Sequence, residues 1–156
     1  MSKICCFTGH RNLGDLLTPG LYNKTKKLIL DLVDDGYTDF RAGGAIGFDT
    51  LAAICVLDVK TQRPKVKLHL ILPCKDQDKK FSKLDKKFYH YTVANADTVS
   101  YIQERYTAGV MQARNRALVD GADLCVACLA RLSGGTYQTV KMARQSGIEI
   151  INVLKK

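Results

Sequence analysis

The segment LCVACLARLSGGTYQTVKMA, residues 124–143, contains a pattern that recurs through the whole chain. Its first six residues are almost entirely apolar, as in a parallel strand that is buried on both faces. The SGGT that follows at 133–136 is typical of a helix start, and the helical segment ends at Gly147. A buried strand that leads through a glycine pair into a helix predicts one β–α unit of a parallel sheet.

The same alternation extends towards both ends of the sequence. The pattern predicts strands at 3–8, 38–41, 66–72, 98–102, 124–129 and 148–154, and helices at 18–36, 47–61, 80–96, 107–121 and 133–147. This alternation indicates a Rossmann-like, doubly wound α/β fold, in which a mostly parallel six-stranded sheet has helices on both faces. We expect the strand order 3-2-1-4-5-6 and a single domain over residues 1–156.

Composition places the chain among ordinary globular proteins. Its 156 residues are 46% hydrophobic and 25% charged, which is enough to bury a core without disulfides or metals. No apolar run approaches the ~18 residues of a membrane span. The N-terminus, MSKICCFTGH, has no room for a secretory signal. We therefore expect a cytoplasmic protein with no membrane partner.

Six cysteines lie on predicted strands and helices, where they are typical of small buried hydrophobic residues. Cys125 and Cys128 form a C-x-x-C. On a strand, however, positions i and i+3 point to opposite faces and make poor co-ligands. We therefore predict no metal site.

The net charge is +9, and much of the excess lies between Lys75 and Lys87. Phe81, Leu84 and Phe88 recur there at helical spacing, which predicts an amphipathic helix with its lysines on the solvated side. The alternative is a surface for nucleic acid, which net charge alone predicts poorly. A solvated helix face is the favoured interpretation.

Three glycine-containing loops follow predicted strands: TGHR at 8–11, GGAIGFD at 43–49 and SGGT at 133–136. In parallel sheets, ligands bind beyond the carboxyl ends of the strands. Helix N-termini there present unpaired N–H groups, and glycine lets a phosphate approach the backbone closely. The coincidence of three such loops at one edge predicts a site for a phosphate-bearing ligand.

Several side chains in these loops suit such a ligand. Arg11 has the forked geometry that binds phosphate, Ser133 and Thr136 carry hydroxyl donors, and Asp49 can accept from ribose hydroxyls. Each also has a structural interpretation. Asp49 is favourable in the first turn of a helix, and His10 suits a loop histidine that bonds to the backbone. The sequence has neither the G-x-G-x-x-G dinucleotide pattern nor a Walker A lysine motif.

Four segments together resemble the SLOG superfamily, and most of all its YpsA-like branch. They are FTGHR at 7–11, GGAIGFDTLAA at 43–53, MQARNRALVDGAD at 111–123 and SGGTYQTVKMA at 133–143. Related members include the DNA-processing protein DprA and the Lonely Guy phosphoribohydrolases. The resemblance implies a nucleotide or ADP-ribose-like ligand and a homodimer. The ligand-binding residues that it implies are Gly9, His10, Arg11, Gly43, Gly44, Gly47, Asp49, Arg114, Asn115, Ser133, Gly134, Gly135 and Thr136.

One position departs from the Lonely Guy pattern. Those enzymes have the loop P-G-G-x-G-T-x-x-E, whose glutamate serves catalysis, whereas this chain has Thr139 at the glutamate position. Asp49 and the more remote Glu104 remain as catalytic candidates. The leading interpretation is therefore a nucleotide-binding sensor or regulatory module. The alternatives are a nucleotide N-glycosidic hydrolase and a DprA-like protein that binds single-stranded DNA.

Overall fold

The computed structural model describes residues 3–154, in which six strands form one parallel sheet. The strands are β1 (Lys3–Gly9), β2 (Tyr37–Ala42), β3 (Lys67–Leu72), β4 (Thr98–Tyr101), β5 (Leu124–Cys128) and β6 (Glu149–Asn152). The helices are α1 (Pro19–Asp34), α2 (Phe48–Gln62), α3 (Lys83–Asn95), α4 (Val110–Val119) and α5 (Gly134–Gln145), with a short 3-10 turn at Gly14–Leu16. The predicted fold class is confirmed.

The predicted strand order is wrong at one strand. The observed order is β4-β3-β2-β1-β5-β6, so β4 pairs with β3 at the edge of the sheet and does not lie beside β1. Asp97, just before β4, stabilises this edge, because its carboxylate accepts a hydrogen bond from the Leu68 N–H at 2.8 Å. The sequence of β4, TVSY, is polar at alternate positions and is mostly exposed. Such a strand suits an edge, whereas the apolar β5 suits the centre of the sheet.

The helices form two layers. α1, α2 and α3 pack along one face of the sheet, and α4 and α5 pack together on the other. Cys5 and Phe7 of β1 lie in the larger core with α1 and α2, while Cys6 lies in the smaller core with α4 and α5. The alternating strand geometry thus lets one central strand anchor both layers.

The cysteines are free and buried. Cys125 belongs to the smaller core and Cys128 to the larger, which confirms that the two residues of the C-x-x-C point to opposite faces. Burial raises the pKa of the Cys128 thiol to about 11. These thiols therefore behave as core side chains.

The lysine-containing helix differs from its prediction. Ser82 caps α3 by accepting from the Asp85 N–H, so Phe81 precedes the helix. Leu84 is 61% exposed and Phe88 is 39% exposed, whereas Tyr89 and Thr92 form the buried face. The predicted inner stripe is therefore wrong at Leu84 and Phe88. Leu84 and Phe88 instead line an open groove beside α2, and helical spacing alone does not indicate how far a neighbouring helix covers such a face.

Candidate functional site

A cavity of about 500 Å³ opens at the carboxyl edge of the sheet, beyond β1 and β5. β1 leads to β2 on one side and pairs with β5 on the other, so the direction of winding reverses here. Open α/β sheets bind ligands at such switch points. The volume also lies in the range of small-molecule sites, roughly 300–1,000 Å³. This cavity is the candidate site.

The N-terminus of α5 forms one wall of the cavity. Gly134 has a φ of 87°, and a Cβ added to Gly134 or Gly135 would meet no atom within 4 Å. The Ser133 side chain makes no capping hydrogen bond. The first N–H groups of a helix lack acceptors within the helix and carry the positive end of its dipole. α5 therefore brings open backbone donors and a hydroxyl to the cavity.

The loop after β1 contributes His10 and Arg11. His10 is 4% exposed, and its Nε2 accepts from the Ala130 N–H at 2.9 Å, which puts the proton of the neutral ring on Nδ1. Burial first, and the charge of Arg131 second, lower the pKa of His10 below its ordinary value. His10 is thus a neutral side chain bonded to the backbone. The Arg11 side chain, by contrast, is exposed and lines the cavity.

The glycines of the 43–49 loop lie beneath the site and do not line its wall. A Cβ on Gly43 would lie 2.7 Å from the Arg114 guanidinium, and one on Gly44 would lie 2.3 Å from the Leu72 side chain. Gly47 has a φ of 82°, and its Cβ would lie 2.4 Å or less from the backbone oxygens of His10 and Arg11. These glycines therefore permit close packing of the loop.

A buried pair, Asp49 and Arg114, forms the floor of the cavity. The Arg114 guanidinium donates to the Gly43 carbonyl, and its Nε donates to Asn115 Oδ1 at 2.8 Å. The Asp49 carboxylate accepts from the Ala45 N–H at 3.4 Å. Burial raises the pKa of Asp49 against the opposing charge of Arg114, and burial lowers the pKa of Arg114. Arg114 thus brings a desolvated cation to the cavity that the N-terminus of α5 also lines.

Most of the residues predicted for the site line this cavity. They are Gly9, His10, Arg11, Asp49, Arg114, Asn115, Ser133, Gly134, Gly135 and Thr136. Gly43, Gly44 and Gly47 support it from below. Glu104 does not line the cavity, and its carboxylate pairs with Lys75 at 3.1 Å on the surface. The side chain of Thr139, at the Lonely Guy glutamate position, is buried and donates to the Gly135 carbonyl at 3.0 Å.

Sequence reasoning missed Arg131, which also lines the cavity. It follows β5 in the chain much as Arg11 follows β1, so a search for cations after each central strand would have found it. Met111 and Leu118 of α4 form an apolar wall of the cavity. The cavity thus combines three arginines with an apolar side.

Two kinds of feature are absent from residues 3–154. No group of three or more His, Cys, Asp or Glu side chains in that range is arranged to hold a metal ion. No helix in the same range combines the length and apolar character needed to cross a membrane.

The fold and the position of the cavity define a Rossmann-like α/β protein with its candidate site at the switch point. The family model described as the YspA SLOG family matches residues 17–149, and the chain belongs to that family. The resemblance found in the sequence motifs is therefore confirmed.

Two curated relatives are similar to the chain. The uncharacterized SPbeta prophage-derived protein YoqJ of Bacillus subtilis is 26% identical over 140 residues, which cover 79% of this chain and 82% of YoqJ. A UPF0398 protein of Halalkalibacterium halodurans is 31% identical over 97 residues, which cover 61% of this chain and 51% of that protein. The chain thus aligns with only about half of the second relative.

The fold also matches a solved structure of DNA processing protein A from Helicobacter pylori, described for its single-stranded DNA binding mode. The TM-score is 0.70 at 22% identity, with 95% of this chain and 63% of the other covered. At this identity the likeness shows the shared fold.

Proposed function

We propose that the cavity binds the phosphate of a nucleotide or nucleotide-derived ligand and that the chain acts as a sensor or regulatory module. The observation that carries the proposal is the open N-terminus of α5. A Cβ added to either of its glycines would meet no atom within 4 Å, and its Ser133 hydroxyl makes no capping bond. Backbone donors left open at a helix N-terminus suit an anion.

The charges around the cavity support the same ligand. Arg11, Arg114 and Arg131 line it, and Asp49 is the one carboxylate among the described lining residues. Arginine binds phosphate through paired hydrogen bonds. We assign the phosphate to the α5 side and give Asp49 the role of accepting from ribose hydroxyls.

A charge placed at the helix start tests the phosphate position. Gly135→Asp adds a carboxylate where a Cβ has open space, and an acidic residue in the first turn favours the helix. We expect Gly135→Asp to fold normally and to lose the thermal stabilisation that nucleotides give the native protein. Gln138→Asp adds the same charge to an exposed position of α5 away from the cavity. This variant should keep the thermal stabilisation by nucleotides.

The thermal stability of each protein is measured with a panel of nucleoside mono- and diphosphates at millimolar concentration. No stabilisation of the unmodified protein by any of them would contradict the proposal, as would equal stabilisation of Gly135→Asp.

Catalysis at a nucleotide ribose has less support. Asp49 is the one carboxylate among the described lining residues, so no second carboxylate stands beside it for acid–base catalysis, and Glu104 lies outside the cavity. We expect no free base when the protein is incubated with nucleoside monophosphates and the mixture is separated by chromatography. Release of base that Asp49→Asn abolishes would overturn this expectation.

Single-stranded DNA is the second candidate ligand. It is favoured by the net charge of +9 and by the likeness to a protein described for binding such DNA. Exposed Tyr101 ends β4 and exposed Tyr106 follows it, and base stacking on aromatic side chains is how many proteins hold single strands. A labelled oligonucleotide titrated at several salt concentrations tests it, because phosphate contacts make affinity fall steeply with salt. No binding at low salt would exclude it.

A further inference from the structure

A second cavity, of about 700 Å³, adjoins the first along the carboxyl edge of the sheet. It lies beyond β3 and β4, between the loop at 73–82 and Tyr106. Arg11 and Met111 line both cavities, so the two meet at these side chains. The carboxyl edge thus carries one cleft with two lobes.

The second lobe has a different chemical character from the first. Phe81, Tyr106 and Met111 give it an apolar and aromatic lining, and Lys79 and Lys80 stand at its rim. Tyr106 is 64% exposed, so its ring is available to a ligand. An exposed aromatic side chain suits a planar base by stacking, whereas Asp76 and Asp85 in the same lining offset the charges of the two lysines.

Contacts with neighbouring loops hold the second lobe in shape. The Lys75 N–H donates to the Glu104 carbonyl at 3.1 Å, and Gln77 Nε2 donates to the Gly43 carbonyl at 3.4 Å. The Phe81 ring packs edge-on against Tyr89, with the centroids 5.6 Å apart. Gln77 Oε1 is buried and accepts no hydrogen bond. This oxygen is enclosed by the protein close to Gly44, so Gln77 holds the lobe in shape through its amide nitrogen and not through a ligand contact.

We propose that the two cavities are subsites for one ligand, a pyrophosphate-linked nucleotide with an organic group at each end. This inference rests on the proposed function and names the class of its ligand. One phosphate lies at the N-terminus of α5 and the other beside Arg11 at the junction of the lobes. The distal base lies in the second lobe, where it stacks on Tyr106.

Matched probes test the inference by calorimetric titration. The probes are AMP and GMP against the corresponding dinucleoside diphosphates, in which a pyrophosphate joins two nucleosides. We expect a dinucleoside diphosphate to bind at least about tenfold more tightly than its mononucleotide. Tyr106→Ala should weaken that binding about tenfold and leave the mononucleotide unchanged, because one base–aromatic stack is lost.

Tyr91→Ala is the matched control. Tyr91 is 50% exposed on α3 and lines neither lobe, so its loss should change the affinity of neither probe. Equal affinity for the one-ended and two-ended probes would overturn this inference and leave the phosphate site standing. So would an unchanged affinity of Tyr106→Ala for the two-ended probe. Absence of binding by every probe would overturn both proposals.

Discussion

Two glycine-rich loops at the same edge of the sheet differ in what surrounds them. In the loop at 43–47, every glycine lies against another part of the protein, namely the Arg114 side chain, the Leu72 side chain or the backbone of the loop after β1. In the loop at 133–136, a Cβ added to Gly134 or Gly135 would meet nothing within 4 Å. Other parts of the protein occupy the space around the glycines of the first loop, whereas the space around the glycines of the second loop is open to a ligand.

The difference teaches that glycine in such a loop has two separate uses. It permits a strained or crowded backbone, and it keeps a surface clear for a ligand. Gly47 serves the first use, because its φ is 82° and two carbonyl oxygens occupy the place of a side chain. Gly135 suits the second. A sequence motif alone does not separate the two uses, whereas substitutions do.

The largest effect is expected at Gly47. Gly47→Ala places a Cβ 2.4 Å or less from the backbone oxygens of His10 and Arg11, at a φ that alanine rarely adopts. We expect it to lower the free energy of unfolding by at least about 3 kcal/mol, measured by urea denaturation.

Gly135→Ala is the matched control from the other loop. Its Cβ has open space, and alanine favours a helix over glycine by about 1 kcal/mol, so we expect unchanged or increased stability. Similar losses in the two variants would contradict the distinction between the loops.

The sequence allowed more to be predicted about each helix and strand than about how these elements pack against one another. The six strands, the five helices and the opposite orientations of Cys125 and Cys128 follow from periodicity, which acts within one element. The edge position of β4 depends on its pairing with β3, and the exposure of Leu84 depends on which face of α3 meets α2. Such tertiary choices are weakly encoded in a single segment.

The candidate site shows the same division. Motifs and turn chemistry led to the edge of the sheet where the cavity opens and to most of the residues that line it. They did not indicate that Leu72 and Arg114, from distant parts of the chain, fill the space around Gly44 and Gly43. Arg131 was missed because no motif surrounds it.

A second prediction concerns Arg114, which supports the filled loop and also lines the open cavity. Arg114→Met leaves the buried Asp49 carboxylate without its opposing charge, so we expect a loss of about 3 kcal/mol in the free energy of unfolding. Adding Asp49→Asn removes that charge and should recover part of the loss. A double variant no more stable than Arg114→Met would show that the Asp49 charge is not the cause.

The smallest effect on the free energy of unfolding is expected at His10, which makes hydrogen bonds near both loops. Its backbone oxygen accepts from the Phe48 N–H at 3.2 Å, at the end of the filled loop, and its Nε2 accepts from Ala130, just before the open one. The pKa of His10 is lowered in the folded state, chiefly by burial. The unfolded chain therefore takes up a proton first as the pH falls. Stability is fully present above the ordinary histidine pKa of about 6.5 and declines below it, by at most about 1.4 kcal/mol per pH unit.

His10→Gln removes this titration while keeping an acceptor for the Ala130 N–H. Urea denaturation of both proteins at pH 7.5, 6.5 and 5.5 isolates the contribution of His10, since the other histidines are common to both. We expect the unmodified protein to lose about 1 kcal/mol more than His10→Gln between pH 7.5 and 5.5. If the two proteins lose stability in parallel, His10 is not held neutral between the loops.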